Sequence, residues 1–460
     1  MAAFQIEFTD ERILPNAGLS LVGAILGNSG FTDRLNSLDI TGRRKGHHIK
    51  NGDLLTTFIA LCANGKPQFE AVNEMKDDPD FYKLALNISK IPSEETLRQR
   101  MDEIGSSKRR MLLKENIRLL KANGIEPTAL ANGMIPLDID VTPCDNSKTR
   151  KEGVSRTYKG YDGYAPIMAY LGREGYLVNC ELRDGKQHCQ KHTAEFLVET
   201  IELVRMLTDR PVLVRLDSGN DSSDNIGIFM EENYREENLQ FIIKRNPRKE
   251  GKEEWLSFAK ANSRKVTRPR DGKAVYTGET FKDVTYNISN SDKKTVGIRT
   301  IYEVTERTID KHGQFLLPHD IELGTYWTST GFSDEEVIRL YHAHGESEQF
   351  HSEFKTDMDM ERFPSGKFNT NELVMELGMM AYNILRMIGQ ESLGTKDAPV
   401  KHDARRRRLR TVITNIIQMA AHITRHARKN IIGLGKSNTW RHTFARILSS
   451  FVDFEPLPIT

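Results

Sequence analysis

The sequence predicts a mixed α/β fold, and three observations predict it. Residues 135–142 alternate strictly: Leu137, Ile139 and Val141 fall on one face, and Asp138, Asp140 and Thr142 on the other. That period of two is the mark of a half-buried strand. Residues 132–245 then run in the order strand, strand, strand, helix, strand, helix, strand, and residues 246–330 are dominated by strand-like alternation. Stretches of helical periodicity lie before and after these two regions.

The elements follow in order. Residues 53–62 carry apolar side chains at helical spacing, and Ser93 with Thr96 opens a second helix whose Arg98 and Arg100, if exposed, face phosphates. A basic loop, Arg43-Arg44-Lys45-Gly46-His47-His48-Ile49-Lys50, lies before the first of these helices. After the 135–142 strand come a polar loop, strands over 165–171 and 176–182, and a helix over 194–207 whose Phe196, Leu197, Leu203, Val204 and Leu207 share one side. The short apolar run 211–217 reads as a buried central strand ending at Asp217, followed by a helix near 226–234 and a strand over 240–244. This is the element order of a ribonuclease H-like core, in which the first and fourth strands are neighbours. The β-rich stretch contains strands over 274–278, 280–288, 295–308 and 321–329, with Asp310-Lys311-His312-Gly313 as a hairpin turn. Helix resumes around 331–355 and 371–389, and Arg405-Arg406-Arg407-Arg408 leads into an amphipathic helix running to His426.

Composition sets bounds. The 460 residues have a formal net charge of +2, but residues 391–460 hold thirteen Lys or Arg against five Asp or Glu, which suits an anion-facing tail. No apolar run approaches the ~20 residues that span a bilayer, and the start of the chain lacks the pattern of a secretory leader. The four cysteines form no C-x-x-C pair, so a reduced, cytoplasmic setting is expected.

Three carboxylates occupy contexts that name a chemistry. Asp140 and Asp217 end predicted strands, and Glu348 follows Tyr341 and His344 in a segment that continues to Lys355. On a regular helix Tyr341, His344, Glu348 and Lys355 fall within roughly 60° of one another. Two strand-end aspartates and a helical glutamate with a basic companion suit two divalent metals and phosphoryl transfer. Mg²⁺ prefers carboxylate oxygens, which explains acids in these places instead of His or Cys.

These strings resemble a known family. Asp140-Val141-Thr142 matches a D-x-T pattern, Asp217-Ser218-Gly219 a D-S-G pattern, and Tyr341-x2-His344-x3-Glu348-x6-Lys355 a Y-x2-R-x3-E-x6-K signature with His at the usual Arg position. Arg183-Asp184-Gly185, Arg362-Phe363-Pro364-Ser365-Gly366 and Ala381-Tyr382-Asn383 extend the similarity over most of the chain. The chain thus resembles bacterial insertion-sequence transposases of the DDE class, in particular the family labelled "IS thirteen-eighty".

The resemblance implies a Mg²⁺-dependent enzyme, with Mn²⁺ able to substitute. Such an enzyme binds the terminal inverted repeats of its element in double-stranded DNA, cuts at the ends and joins them to target DNA. It implies a catalytic and metal-binding triad of Asp140, Asp217 and Glu348, with Tyr341, His344 and Lys355 on a DNA phosphate. It further implies a cytoplasmic, nucleoid-associated protein that forms a homodimer on DNA. The expected layout is a helical DNA-end-binding domain over 1–131, a core over 132–245 and 331–390, a β-rich insertion over 246–330 and a basic helical region over 391–460. Trp327 is a candidate for stacking on a distorted DNA end, against the plainer reading of a core tryptophan. Arg405, Arg406, Arg407 and Arg408 are candidates for phosphate contact, against a solvated run.

Rivals exist for several roles. Asp138 shares a strand face with Asp140, and Asp221 competes with Asp217 but suits a helix cap better. Cys180, His188, Cys189 and His192 have some look of a zinc site without its paired spacing. Two other functions compete with the transposase reading: a catalytically silent DNA-binding descendant, disfavoured by the intact triad, and a ribonuclease H-like nuclease, disfavoured by the long insertion and the Tyr-to-Lys signature.

Overall fold

The structure is a computed structural model that describes residues 6–38, 49–236, 238–288, 292–399, 404–426 and 429–452. Residues 43–48 of the basic loop lie outside the described residues. A nine-stranded sheet organises the chain. Its strands are β1 (Ile135–Val141), β2 (Ile167–Leu171), β3 (Tyr176–Glu181), β4 (Val212–Leu216), β5 (Leu239–Lys244), β6 (Lys265–Arg270), β7 (Lys273–Asn287), β8 (Lys293–Ile309) and β9 (Phe315–Thr328). Their order across the sheet is β6-β7-β8-β9-β5-β4-β1-β2-β3. β1 runs parallel to β4 and β4 parallel to β5, whereas β2 runs antiparallel to both β1 and β3. The first and fourth strands are therefore neighbours, as the element order predicts.

The reason lies in the residues. β4 is Val-Leu-Val-Arg-Leu and every one of its residues is buried, as a central strand covered on both faces requires. Between β3 and β4 runs helix α1 (Thr193–Leu207), which buries Phe196, Leu197, Ile201, Leu203 and Val204. Helix α2 (Ser223–Glu236) connects β4 to β5. The β-rich segment continues this sheet: β9 pairs with β5 through Tyr326↔Lys244, Trp327↔Ile243 and Thr328↔Ile242. The two strands expected over 274–288 form one strand, β7, and a helix at Lys252–Asn262 and strand β6 stand where the sequence shows no clear alternation.

One hydrophobic cluster extends from Leu14 through the N-terminal helices and the sheet to Ile447. At its centre is helix α3 (Phe368–Glu391), buried all round from Thr370 to Gly389, which packs against helix Asn51–Ala63 and β3. Helix Asn51–Ala63 is itself entirely buried, and Ser93 caps helix Glu94–Ile104 by accepting the Thr96 N–H at 3.2 Å. Arg100 in that helix is buried against Asn51, so it faces no phosphate.

The C-terminal region departs from expectation. Instead of a helix to His426, a short helix Leu409–Val412 widens into a π-turn at Ile413–Ile417. A hairpin follows, Ala421–His426 with Lys429–Leu434, and Ile13–Leu14 adds a third strand to it. Ala421-His422-Ile423-Thr424 alternates buried and exposed, a period-two signal inside what reads as a helical pattern. No helix among the described residues is long and apolar enough to cross a membrane.

Candidate active site

The β1–β4 register pairs Asp138 with Arg215 and Ile139 with Leu216, so one step further along the parallel strands Asp140 and Asp217 come side by side. Both lie at the carboxyl ends of their strands, where open α/β sheets place ligand sites. One pleat below, Asp138 is spent on the interior. Its two oxygens each accept from Arg215 at 2.7 Å, and His344 Nδ1 lies 2.8 Å from Oδ1. Arg215 also donates to the Leu340 carbonyl at 2.9 Å. Asp138 is 2 % exposed, whereas Asp140 opens into a cleft of about 690 Å³.

The electrostatics separate the acids. Burial would raise the Asp138 carboxyl, but the Arg215 charge and the His344 hydrogen bond outweigh it and hold the group below the usual range. Burial is likewise outweighed at Asp140, by His351, by the His344 charge and by the Val141 N–H, which donates to Oδ1 at 2.7 Å. Asp217 moves the other way: burial and the Asp140 charge push it up, against a 2.8 Å hydrogen bond from Asn220. Its raised affinity for a proton comes mainly from burial, with the neighbouring Asp140 charge adding to it.

His344 is held above its usual value, because burial is outweighed by the hydrogen bond and charge of Asp138 and by the charge of Asp140. A histidine raised on folding contributes stability that is complete below its unfolded pKa of about 6.5 and is lost as pH rises through the folded value. His344→Gln should therefore cost most stability below pH ~6.5, and the gap should narrow at higher pH. Urea unfolding midpoints from pH 5.5 to 8.5 test this; a constant gap would mean that folding leaves the imidazole's proton affinity unchanged.

The segment after β9 delivers the third acid. Helix Asp334–His342 tightens into a 3₁₀ turn at Ala343–Glu346, resumes as helix α4 (Ser347–Ser352), and widens into a π-turn at Glu353–Asp357. Although this is no regular helix, Tyr341, His344, Glu348 and Lys355 all line the cleft with Asp140 and Asp217. Tyr341, His344 and Lys355 have protein partners. Tyr341 packs on Tyr326 at 4.9 Å between ring centroids, and Lys355 Nζ donates to the Pro143 carbonyl at 3.0 Å. His344 turns its Nδ1 inward to Asp138 and is 6 % exposed, so the phosphate contact expected of it has only Nε2 left to make it.

Other expectations are corrected. Trp327 is 6 % exposed, donates from Nε1 to Asp221 at 2.8 Å and lies under the Arg245 guanidinium, so it is a core residue and not a stacking platform. Asp221 also accepts from the Asn246 N–H at 2.8 Å, and Ser222 takes the place at the start of α2 that Asp221 was expected to hold, accepting from the Asn225 N–H. The arginine run does not form a basic face. Arg406 sits over Phe350, Arg407 is buried between Ser392 and Trp440, and Arg408 is bonded to Asp357 at 2.8 and 3.1 Å. Arg405 is exposed.

Among the described residues no three His, Cys, Asp or Glu side chains converge closely enough to hold a metal on their own. For the zinc alternative this is decisive: Cys180 is buried against Met379, Cys189 donates to the Gly219 carbonyl, and His188 is exposed. The cleft also holds residues that the sequence reading did not select, namely Thr142, Tyr158, Lys159 and His351. Tyr158 donates to the Val141 carbonyl at 3.3 Å, and burial together with the Asp140 and Asp217 charges pushes its phenol up to about 12. His351 had a legible signal, since it lies one helical turn after Glu348.

No curated protein matches the chain. Among solved structures, the piggyBac transposase synaptic complex with hairpin DNA, determined by cryo-electron microscopy, is similar with a TM-score of 0.37 at 12 % identity over 81 % of this chain and 74 % of that one. A family model described as Transposase DDE domain group 1 matches residues 2–455. With that match spanning nearly its whole length, the chain belongs to the DDE-domain transposases of group 1.

Proposed function

We propose that the protein is an insertion-sequence transposase of the "IS thirteen-eighty" kind, with a ribonuclease H-like core. It binds the terminal inverted repeats of its element, cleaves DNA at the ends and joins them to target DNA, working as a homodimer on the DNA. The observation that carries this reading is the juxtaposition of Asp140 and Asp217 at adjacent parallel strand ends, with Glu348 lining the same cleft.

The donor set fits Mg²⁺, or Mn²⁺ in its place. Asp140 and Asp217 offer oxygen only, crowd each other's charge, and have no Lys or Arg hydrogen bond among the described residues. Mg²⁺ is commonly held by one or two carboxylates completed by water and substrate phosphate, so a protein pair short of a closed cluster suffices. Bound divalent ions supply charge neutralisation for the attacking and leaving oxygens of an in-line displacement. Asp140 and Asp217 would hold them, and Glu348 would contribute from the facing segment. Lys159 and Lys355 line the cleft and bring positive charge to a bound phosphate. The nucleophile is water or a DNA hydroxyl, so none of these side chains forms a covalent bond.

Cleavage of DNA carrying the inverted repeats that flank this reading frame, with Mg²⁺ present or chelated, tests the reading. Cleavage that persists in excess chelator would sink it. A second measurement concerns residues 405–408. Each phosphate contact contributes about 0.9 to the slope of log affinity against log salt, so four contacts would contribute roughly 3.6. Since only Arg405 stands clear of protein partners, Arg405→Ala should change the slope by ~1 at most. Arg408→Ala should instead lower stability modestly, because it removes one of two arginine partners of Asp357, whose side chain is fully buried and which Arg410 also holds. A slope change near 3.6 on neutralising all four would return the run to the DNA.

A further inference from the structure

Tyr170 on β2 and His351 on α4 form a buried polar pair that the chemistry above does not use. Tyr170 is fully buried and His351 is 4 % exposed. The Tyr170 hydroxyl lies 3.1 Å from His351 Nδ1 and 3.1 Å from Met168 Sδ. Across the ring, His351 Nε2 faces Asp140 Oδ2 at 3.5 Å and lies within hydrogen-bonding geometry of no partner among the described residues. A buried polar atom in that state is costly and calls for an explanation.

The phenol has one proton to place. Given to the thioether, it obliges Nδ1 to carry the ring hydrogen, and a bare Nε2 lone pair then faces a carboxylate. Given to Nδ1, the better acceptor, it fixes the tautomer in which Nε2–H points at Asp140. Only the second arrangement sets a donor against the acid, and a small closure of the 3.5 Å gap completes the bond. The other Asp140 oxygen already accepts the Val141 N–H. Each oxygen then has one donor, and the plane of the carboxylate is fixed.

We propose that Tyr170 and His351 are positioning residues for Asp140: the phenol sets the imidazole tautomer, and the imidazole N–H turns the carboxylate so that its free lone pairs face the cleft. This rests on the reading of Asp140 as a metal ligand. Hydrogen bonds to a ligating group are worth 10–100-fold in metal affinity in proteins generally.

The probe is Mn²⁺ alone, titrated calorimetrically into the full-length chain without DNA. His351→Leu should weaken binding roughly 10–100-fold while the thermal unfolding midpoint stays near that of the unmodified protein. His351→Gln, whose amide N–H reaches the Nε2 position, should recover affinity to within a few-fold. His351→Asn, whose amide reaches only the Nδ1 position, should not. Tyr170→Phe should lose affinity in the same direction, and it carries the test if the leucine variant fails to fold. Unchanged Mn²⁺ affinity in His351→Leu, or in Tyr170→Phe in that case, overturns the proposal, as does equal recovery by Gln and Asn. Asp140→Asn is the control that separates the two readings: wild-type affinity in that variant would show that the metal assignment itself has failed.

Discussion

Asp140→Asn, Asp217→Asn and Glu348→Gln should each abolish strand cleavage while binding of the element's ends survives. Each exchange keeps the shape of the side chain and removes one negative oxygen from a cleft where charge must be balanced during phosphoryl transfer. Losing several kcal/mol of that stabilisation corresponds to a rate loss on the order of 10³-fold, at ~1.4 kcal/mol per tenfold. The two aspartates should differ in a second readout. Asp217 is pushed up by burial and by Asp140, so its neutral replacement relieves repulsion and should leave the DNA-free protein as stable as before or slightly more so. Asp140 is held down by its partners despite burial, and Asp140→Asn should cost stability. Full cleavage by any one variant removes that residue from the site.

Asp138→Asn should be the most destabilising conservative exchange in the region, by about 3–5 kcal/mol. Arg215 is 2 % exposed, and its forked pairing with Asp138 is a buried cross-strand ion pair. An amide in place of the acid leaves that guanidinium without countercharge and removes the partner of His344 as well. Replacing both members of the pair by Leu and Met should recover much of the loss, because the penalty comes from breaking the pair and not from lacking it. Urea unfolding of the single and double variants measures both effects. A loss below ~1 kcal/mol in Asp138→Asn would mean that water or another carbonyl satisfies Arg215.

What could be read in the chain was local. The alternation in β1 and the apolar run of β4 each mark a strand within a few residues, and their ends carry Asp140 and Asp217. The strand order followed because few arrangements of that element sequence exist. The Tyr341-to-Lys355 segment was legible for a different reason. A 3₁₀ turn winds more tightly than the α-helix and a π-turn more loosely, so their deviations oppose each other and the face computed for a regular helix still converges on the cleft.

What could not be read depends on partners far along the chain. Nothing near Trp327 announces Asp221, and nothing beside Arg408 announces Asp357. Exposed and buried arginines look alike until the fold supplies their carboxylates. His344 shows the same limit: its spacing from Glu348 suits a phosphate contact, but a carboxylate 206 positions earlier claims it first.

Among the described residues, the short strand Ile13–Leu14 has its only strand partner in the hairpin that begins at Ala421. On the ribosome, at roughly 5–20 residues per second, that strand waits about 20–80 s for its mate. Until then the N-terminal helices have an unfinished edge, and helix α3, on which they pack, is itself made late. The polypeptide therefore closes on itself only after residues 421–434 have been made. A prematurely terminated copy lacking the hairpin would hold all three acids yet leave that edge open, and it should fall to proteolysis before it can meet DNA.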